Sequence, residues 1–437
     1  MQWLTRGPMN QTPQQRVPRH RRRCTGRGLT LSALPLVALL ASDPVPASTP
    51  AAEAGARDAA LESEAEARQN LLADVRDYQH RIAELETRGG AYANGLAEQL
   101  LGLGLALQRN GAHGEAIETF KRGVHLTRIN EGLYSDRQMA MLQGEIASHI
   151  AQGEYSVADE RQRYLYRIQT QALTDVTRAQ AFMHHARWQR KAYEADLGDA
   201  PFSRLINMFS LHRLALTELV NVEGEDSPLL LEPLYGMLQA QYLLSGFVGE
   251  TSSGHYRTGG VFSDEQSMQM SYRNESYKQG NAEIRAIYDV SAMQPEFDLE
   301  HSANTLILQG DWKLWHGKRG EAMAVYGEIF GELAARDADQ AIVDSLFGVP
   351  VPLPAIEGVR TLPPRIEERE GALLLEFGVS ERGRVTDLVR VDNHPSNDDS
   401  ADSIMRRFRQ TLFRPRISDG MPVETQGLRW AYDTADW

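Results

Sequence analysis

With 437 residues, 42% hydrophobic and 24% charged, the chain has room for two or three domains with sizeable cores and is too apolar for wholesale disorder. Its formal net charge of −13 repels phosphate backbones, which excludes nucleic acid as an expected partner. One cysteine, Cys24, excludes a disulfide framework.

The first element reads as an address. Arg6, Arg16, Arg19, Arg21, Arg22, Arg23 and Arg27 precede an apolar run from Leu29 to Ala41, and Val45-Pro46-Ala47 offers small residues to a signal peptidase. Residues 1–47 are therefore expected to be a signal peptide, because the apolar run is shorter than the roughly 20 residues of a spanning helix. An uncleaved inner-membrane anchor is the alternative. Cys24-Thr25-Gly26 stands where a twin-arginine signal carries apolar residues, so export by the general pathway is expected. Cleavage would leave a chain beginning near Ser48 with no thiol chemistry.

Residues 48–91 read as a linker and one helix. Leu71, Val75, Tyr78, Ile82 and Leu85 follow a four-three spacing that ends at Gly89-Gly90. The stripe is too short for a sustained coiled coil, which favours an N-terminal capping helix over a dimerisation arm.

Residues 92–345 are helical and contain repeats. Gly111 and Ala116, Gly153 and Ala158, and Gly317 and Ala322 share one spacing; Gly104 and Gly310 precede, and Phe120 and Tyr326 follow, at matching offsets. This pattern resembles tetratricopeptide repeats, in which small residues let two antiparallel helices approach and an aromatic fills the groove. The resemblance implies a right-handed solenoid of four or five helical pairs. The stretches 182–193, 211–220 and 228–244 read as helices without the signature, Pro233 delaying the regular start of the last.

Two segments are candidate partner sites. Arg128, Asn130 and Tyr134 lie in 128–134, at the junction of one helical pair with the next, near the face that solenoids use for peptides; the competing reading is a well-packed turn. Residues 249–280 read as a Gly/Ser-rich loop insertion carrying His255, Tyr256, Arg257, Phe262, Tyr272, Arg273 and Tyr277, of which Tyr256 and Arg257 are the chosen contacts. Its competing reading is an insertion without a partner.

Residues 346–364 are rich in proline, from 349–354 to Pro363-Pro364, and read as a hinge that holds two domains apart. In residues 365–437, Leu373, Leu375, Phe377 and Val379 alternate as a strand. Gly383 marks a turn, and Val385, Val389 and Val391 continue as a second strand with Leu388 out of phase. Ile404, Phe408 and Leu412 share a helix face that Pro415 ends, and a last strand runs from about Val423 to Tyr432.

This β-β-α-β unit, with Phe413-Arg414-Pro415 and the Gly-x-Pro-Val of 420–423, resembles the C-terminal domain of TonB-type energy transducers. The resemblance implies strand addition at an exposed edge of the last strand, about 424–433. It nominates Phe413, Arg414, Pro415, Thr425, Gly427 and Arg429 as partner-facing. The fold class is then mostly α: a tetratricopeptide-like α-solenoid followed by a small α+β TonB-like domain.

No catalytic constellation stands out. There is no Gly-x-Ser-x-Gly, no phosphate-cradling Gly-Lys-Ser/Thr loop and no His-Glu-x-x-His; adjacent His184-His185 diverge on a helix and read as ordinary, partly exposed side chains. No metal, cofactor or small-molecule substrate is inferred, and an envelope hydrolase has no support. The reading is a non-catalytic periplasmic adaptor for protein partners of the cell envelope, outer-membrane receptors among the candidates. The alternative is a TonB-like energy transducer, against which stand the short apolar run and a globular solenoid in place of an extended spacer.

Overall fold

The computed structural model describes residues 50–198, 200–247 and 264–434. The signal-peptide reading of residues 1–47, with Cys24, lies outside them. Twelve helices come first: α1 (Pro50–Gly89), α2 (Leu96–Arg109), α3 (His113–Glu131), α4 (Gln138–Ala151), α5 (Tyr155–Ala172), α6 (Asp175–Glu194), α7 (Pro201–Glu223), α8 (Leu231–Gly246), α9 (Asp264–Ala292), α10 (Leu299–Trp315), α11 (Arg319–Ala335) and α12 (Gln340–Phe347). Each of α1 to α11 packs on its neighbours in sequence, so α2/α3, α4/α5, α6/α7, α8/α9 and α10/α11 form five successive hairpins in a tetratricopeptide-like array. None of the described helices is long and apolar enough to cross a membrane.

The first helix is a cap. Val75 and Ile82 are buried in the same core as Leu96, Leu100 and Leu103 of α2, and Tyr78 closes over Gly102.

One turn recurs within the hairpins. Ala112 N–H donates to Leu107, Glu154 to His149, Leu197 to Ala192 and Lys318 to Lys313, always to the carbonyl five residues back at 2.9 Å. The residue before each donor has a left-handed backbone: Gly111, Gly153, Asp196 and Gly317. A short polar side chain tolerates that conformation where glycine is absent, and Asp196 hides the third hairpin from a glycine-based pattern.

Ring-on-glycine packing sets the helix spacing. Phe120 is fully buried between Gly104 on α2 and Gly144 on α4, and a methyl group on either would overlap its ring. Tyr326 meets Gly310 and Trp312 meets Gly280 in the same way, while His212 takes the ring's place over Gly236. Burial, reinforced by Arg187 and Arg190, pushes the His212 imidazole down to about 4, so it packs as a neutral ring.

The stretch 249–280 is not a loop throughout. From Asp264 onward it is helix α9, and two of its small residues, Ser276 and Gly280, are buried against its neighbours. Ser276 donates to the Gln241 carbonyl of α8 at 3.3 Å, and Gly280 accommodates Trp312 of α10. Tyr272 packs edge-on against Phe202. His255, Tyr256, Arg257 and Phe262 lie outside the described residues.

After the array come β1 (Val351–Pro352), β2 (Arg365–Ile366), β3 (Leu373–Val379), β4 (Val385–Arg390), α13 (Asp398–Gln410), β5 (Phe413–Arg414), β6 (Arg416–Ser418), β7 (Met421–Val423) and β8 (Thr425–Tyr432). The main sheet is antiparallel with order β2-β8-β3-β4. Helix α13 covers it with Ile404 and Phe408, the latter edge-on to Phe377 at 5.0 Å.

Two details differ from the sequence reading. The β3–β4 register slips by one residue at Asp387, whose backbone is left-handed, so Leu388 turns to the core and Val389 to solvent. Pro422-Val423 belongs to a separate β6–β7 hairpin rather than to the last strand.

A buried carboxylate ties the second and third hairpins. Asp159 of α5 accepts from Trp188 Nε1 at 2.8 Å, from both terminal nitrogens of Arg204 at 2.9 and 2.8 Å, and from Arg163 at 2.8 Å. Burial alone would raise its pKa; the donors, Arg204 foremost, outweigh that and hold it at about 2. Because the folded value is depressed, this stability is complete above the ordinary carboxylate range and is lost as pH falls from about 4 through 2. Urea denaturation of the wild type is expected to lose about 2 kcal/mol across that window beyond what Asp159→Asn loses.

Glycine substitutions are expected to have opposite signs by position. Gly144→Ala, forced against Phe120, destabilises by about 1–3 kcal/mol through overpacking. Gly331→Ala, on α11 with open space around it, stabilises by about 0.5–1 kcal/mol through helix propensity; thermal denaturation of both variants checks the contrast.

Candidate partner-binding groove

The proline-rich segment is not a spacer. Leu353, Ile356, Val359 and Leu362, about three residues apart, are all buried. Ile356 and Val359 enter the core shared by α6 to α10. Gln239 of α8 donates its side-chain N–H to the Glu357 carbonyl at 2.7 Å, and Gly358 lies so close to Arg190 of α6 that a side chain would overlap the guanidinium. The strap thus crosses the face made by the first helices of the third, fourth and fifth hairpins. It loops back on itself, Val359 N–H donating to the Ile356 carbonyl at 3.3 Å and the Thr361 hydroxyl to the Leu353 carbonyl at 3.1 Å, and apolar anchors hold it down.

Two clefts flank the strap. One of about 1190 Å³ is walled by Arg187, Arg190 and Glu194 of α6, Tyr235 of α8 and the strap's Ile356 and Glu357. The other, of about 720 Å³, lies between Tyr193, Tyr242, Trp315, the strap and α13. The smaller has the size of a ligand site, and the larger exceeds it.

The C-terminal module is fixed to the array beside this face. Arg414 donates to both carboxylate oxygens of Asp311 on α10, at 3.0 and 3.2 Å, and the Tyr326 hydroxyl donates to the same carboxylate at 2.7 Å. All three side chains are buried. Burial pushes the Asp311 carboxyl up and Arg414 pulls it back; burial likewise raises the Tyr326 phenol, which keeps it a donor.

Around this pair, β1 and β5 align Val351 with Arg414 and Pro352 with Phe413, and Leu353 N–H donates to Leu412 O at 2.8 Å. Phe413 N–H donates to Gly383 O at 2.9 Å, and Gly383 has a left-handed backbone so close to the Phe413 carbonyl that any side chain would collide with it. The turn glycine and the Phe-Arg-Pro motif are therefore two sides of one contact.

Several site expectations change as a result. Phe413, Arg414 and Pro415 are buried at the junction rather than presented to a partner. The last strand is not an exposed edge along its whole length: β3 pairs with one side of it, and β2 covers Ala431 and Tyr432 on the other. Thr425 is half-buried, and Gly427 and Arg429 are exposed. Gly427 forms a bulge with a left-handed backbone, and Arg429 pairs with Glu376 at 3.4 Å.

Arg128, Asn130 and Tyr134 are exposed and sit at the end of α3 and the following turn. Asn130 donates to the Tyr92 carbonyl at 3.4 Å, and the helical residues lining the strap cleft come from α6, α7, α8, α10 and α13 instead. Tyr256 and Arg257 lie outside the described residues. His185 is buried, stacked on Tyr166 at 4.4 Å and pushed down to about 4 by burial, rather than partly exposed. Among the described residues no group of three or more His, Cys, Asp or Glu is placed to hold a metal.

No family model matches the chain, and no curated protein does. Among solved structures it is similar to one described as a kinesin light chain of Podosopora anserina with nearly identical TPR-like repeats. The two share 14% identity over 57% of this chain and 95% of that one, with a TM-score of 0.35. A single-substitution form of that protein gives 14% identity, 55% and 95% coverage and a TM-score of 0.34. BtubC (BKLC) from P. vanneervenii gives 12% identity, 62% and 93% coverage and a TM-score of 0.34.

Gln239, Arg190 and the Asp311–Arg414 pair escaped the sequence reading. Only Asp311 left a trace: a carboxylate directly beside Gly310, a close-packing position of the repeat, calls for a buried partner. Arg414→Leu is expected to destabilise by about 3–5 kcal/mol by stranding that carboxylate, and adding Asp311→Asn to recover part of the loss. Denaturation of the two variants and wild type measures both steps.

Proposed function

We propose that the protein is a non-catalytic adaptor of the cell envelope, exported to the periplasm, that holds segments of partner proteins on the face of its helical array where the strap sits. The observation that carries this reading is the strap: a non-helical stretch, turned at Ile356–Val359, seated on that face by apolar anchors and one side-chain to main-chain hydrogen bond. Peptide grooves use the same combination, apolar pockets giving specificity and main-chain bonds giving affinity. The clefts on either side leave room for a partner's chain next to it.

The test is a photo-crosslinking amino acid at Tyr235, in the cleft wall, with Arg213 on the exposed side of α7 as control, in intact cells. Adducts with envelope proteins at 235 and none at 213 support the adaptor; equal labelling at both, or none, contradicts it.

A second reading, a TonB-like energy transducer, draws on the β-β-α-β resemblance and on β8, whose stretch from Thr425 to Arg429 has no described strand on the side away from β3. Crosslinks from position 429 to an outer-membrane receptor, with none from 235, would favour it.

A further inference from the structure

The cleft of about 720 Å³ between array, strap and C-terminal module differs in charge from the rest of the molecule. Arg273 reaches it from α9, Arg360 from the strap, Arg384 from the turn before β4 and Arg407 from α13. No aspartate or glutamate stands among the described residues that line it, although acidic side chains outnumber basic ones by 59 to 46 in the chain. The neighbouring cleft, which shares Arg360 and Arg407, does carry Glu194, Glu232 and Glu357, so the absence is local.

Four solvent-exposed arginines line one recess without a carboxylate among its described lining residues, so a multivalent anion there meets positive charge from several sides. Their planar forks match the oxygens of phosphate and carboxylate groups, which they bind bidentately. The walls contributed by Tyr193 and Trp315 give the recess a partly apolar lining, and its volume is that of a small-molecule site.

We propose that this cleft binds a small organic or inorganic anion carrying two or more negative charges on phosphate or carboxylate groups. Its arginines belong to the helical array, the strap and the C-terminal module, so the bound anion bridges all three. It stabilises their docked arrangement by mass action, increasingly as its concentration rises above its dissociation constant.

The test uses the full exported chain, titrated by calorimetry at physiological salt with pyrophosphate and, separately, with citrate. The expected result is saturable binding of at least one probe, weakened about tenfold or more by Arg273→Gln combined with Arg384→Gln and unchanged by Arg213→Gln. Preference for pyrophosphate assigns a phosphate-bearing ligand, preference for citrate a carboxylate-bearing one. Should the double variant lose its native circular dichroism, Arg273→Gln alone is read on the same scale. Failure of both probes to bind, or equal weakening by the remote Arg213→Gln, overturns the proposal.

Discussion

Asp311 places a carboxylate on the buried face of α10, and its partner lies 103 residues further along the chain. Leaving such a group unpaired costs about 3–5 kcal/mol, a large part of a domain's net stability. Docking of the C-terminal module on the array is therefore built into the energetics of the last hairpin. Once Arg414 is seated, the β1–β5 pairing, the Leu353–Leu412 bond and the Phe413–Gly383 bond follow from the same backbone path. The β6–β7 hairpin completes the junction by burying Ile417 among Tyr326, Leu333 and Phe347.

That junction decides where the strap runs. With residue 351 pinned to β5 and residue 366 pinned to β8, the intervening chain loops over the array, and its apolar residues fall into the face made by α6, α8 and α10. Side-chain burial, with a single described hydrogen bond from the array to the strap's main chain, holds it there. Such a segment belongs to the less protected end of a protein's stability range. The groove is shaped by a tenant that the chain itself supplies.

Much of the architecture was legible because particular positions tolerate few residue types. Gly111, Gly153 and Gly317 mark left-handed turns, and Ala116, Ala158 and Ala322 mark helix contacts with no room for a larger side chain. The third hairpin was less legible because Asp196 makes the turn and His212 fills the ring position. In the C-terminal sheet, alternation from Leu373 to Val379 revealed β3, but the bulge at Asp387 inverted the faces of β4, since one inserted residue exchanges inside for outside. Proline density suggested a spacer because prolines report only local stiffness. Whether Ile356 and Val359 find a cavity depends on helices far earlier in the chain, Gln239 and Glu357 being 118 residues apart. Likewise, Arg414 looked like a surface contact because its burial is decided by a carboxylate remote in sequence.

Both the groove and the fixed junction require the strap to be seated on the array in solution. Native-state hydrogen exchange of the backbone amides from Leu353 to Leu362 tests this most directly. Protection of Leu353 and Val359, whose N–H groups are hydrogen-bonded, well above free-peptide rates, with loss of protection at Val359 in Gln239→Ala, is the predicted result. Exchange of the whole segment at free-peptide rates would mean that the strap is a loose linker, and would contradict both the groove and the fixed junction.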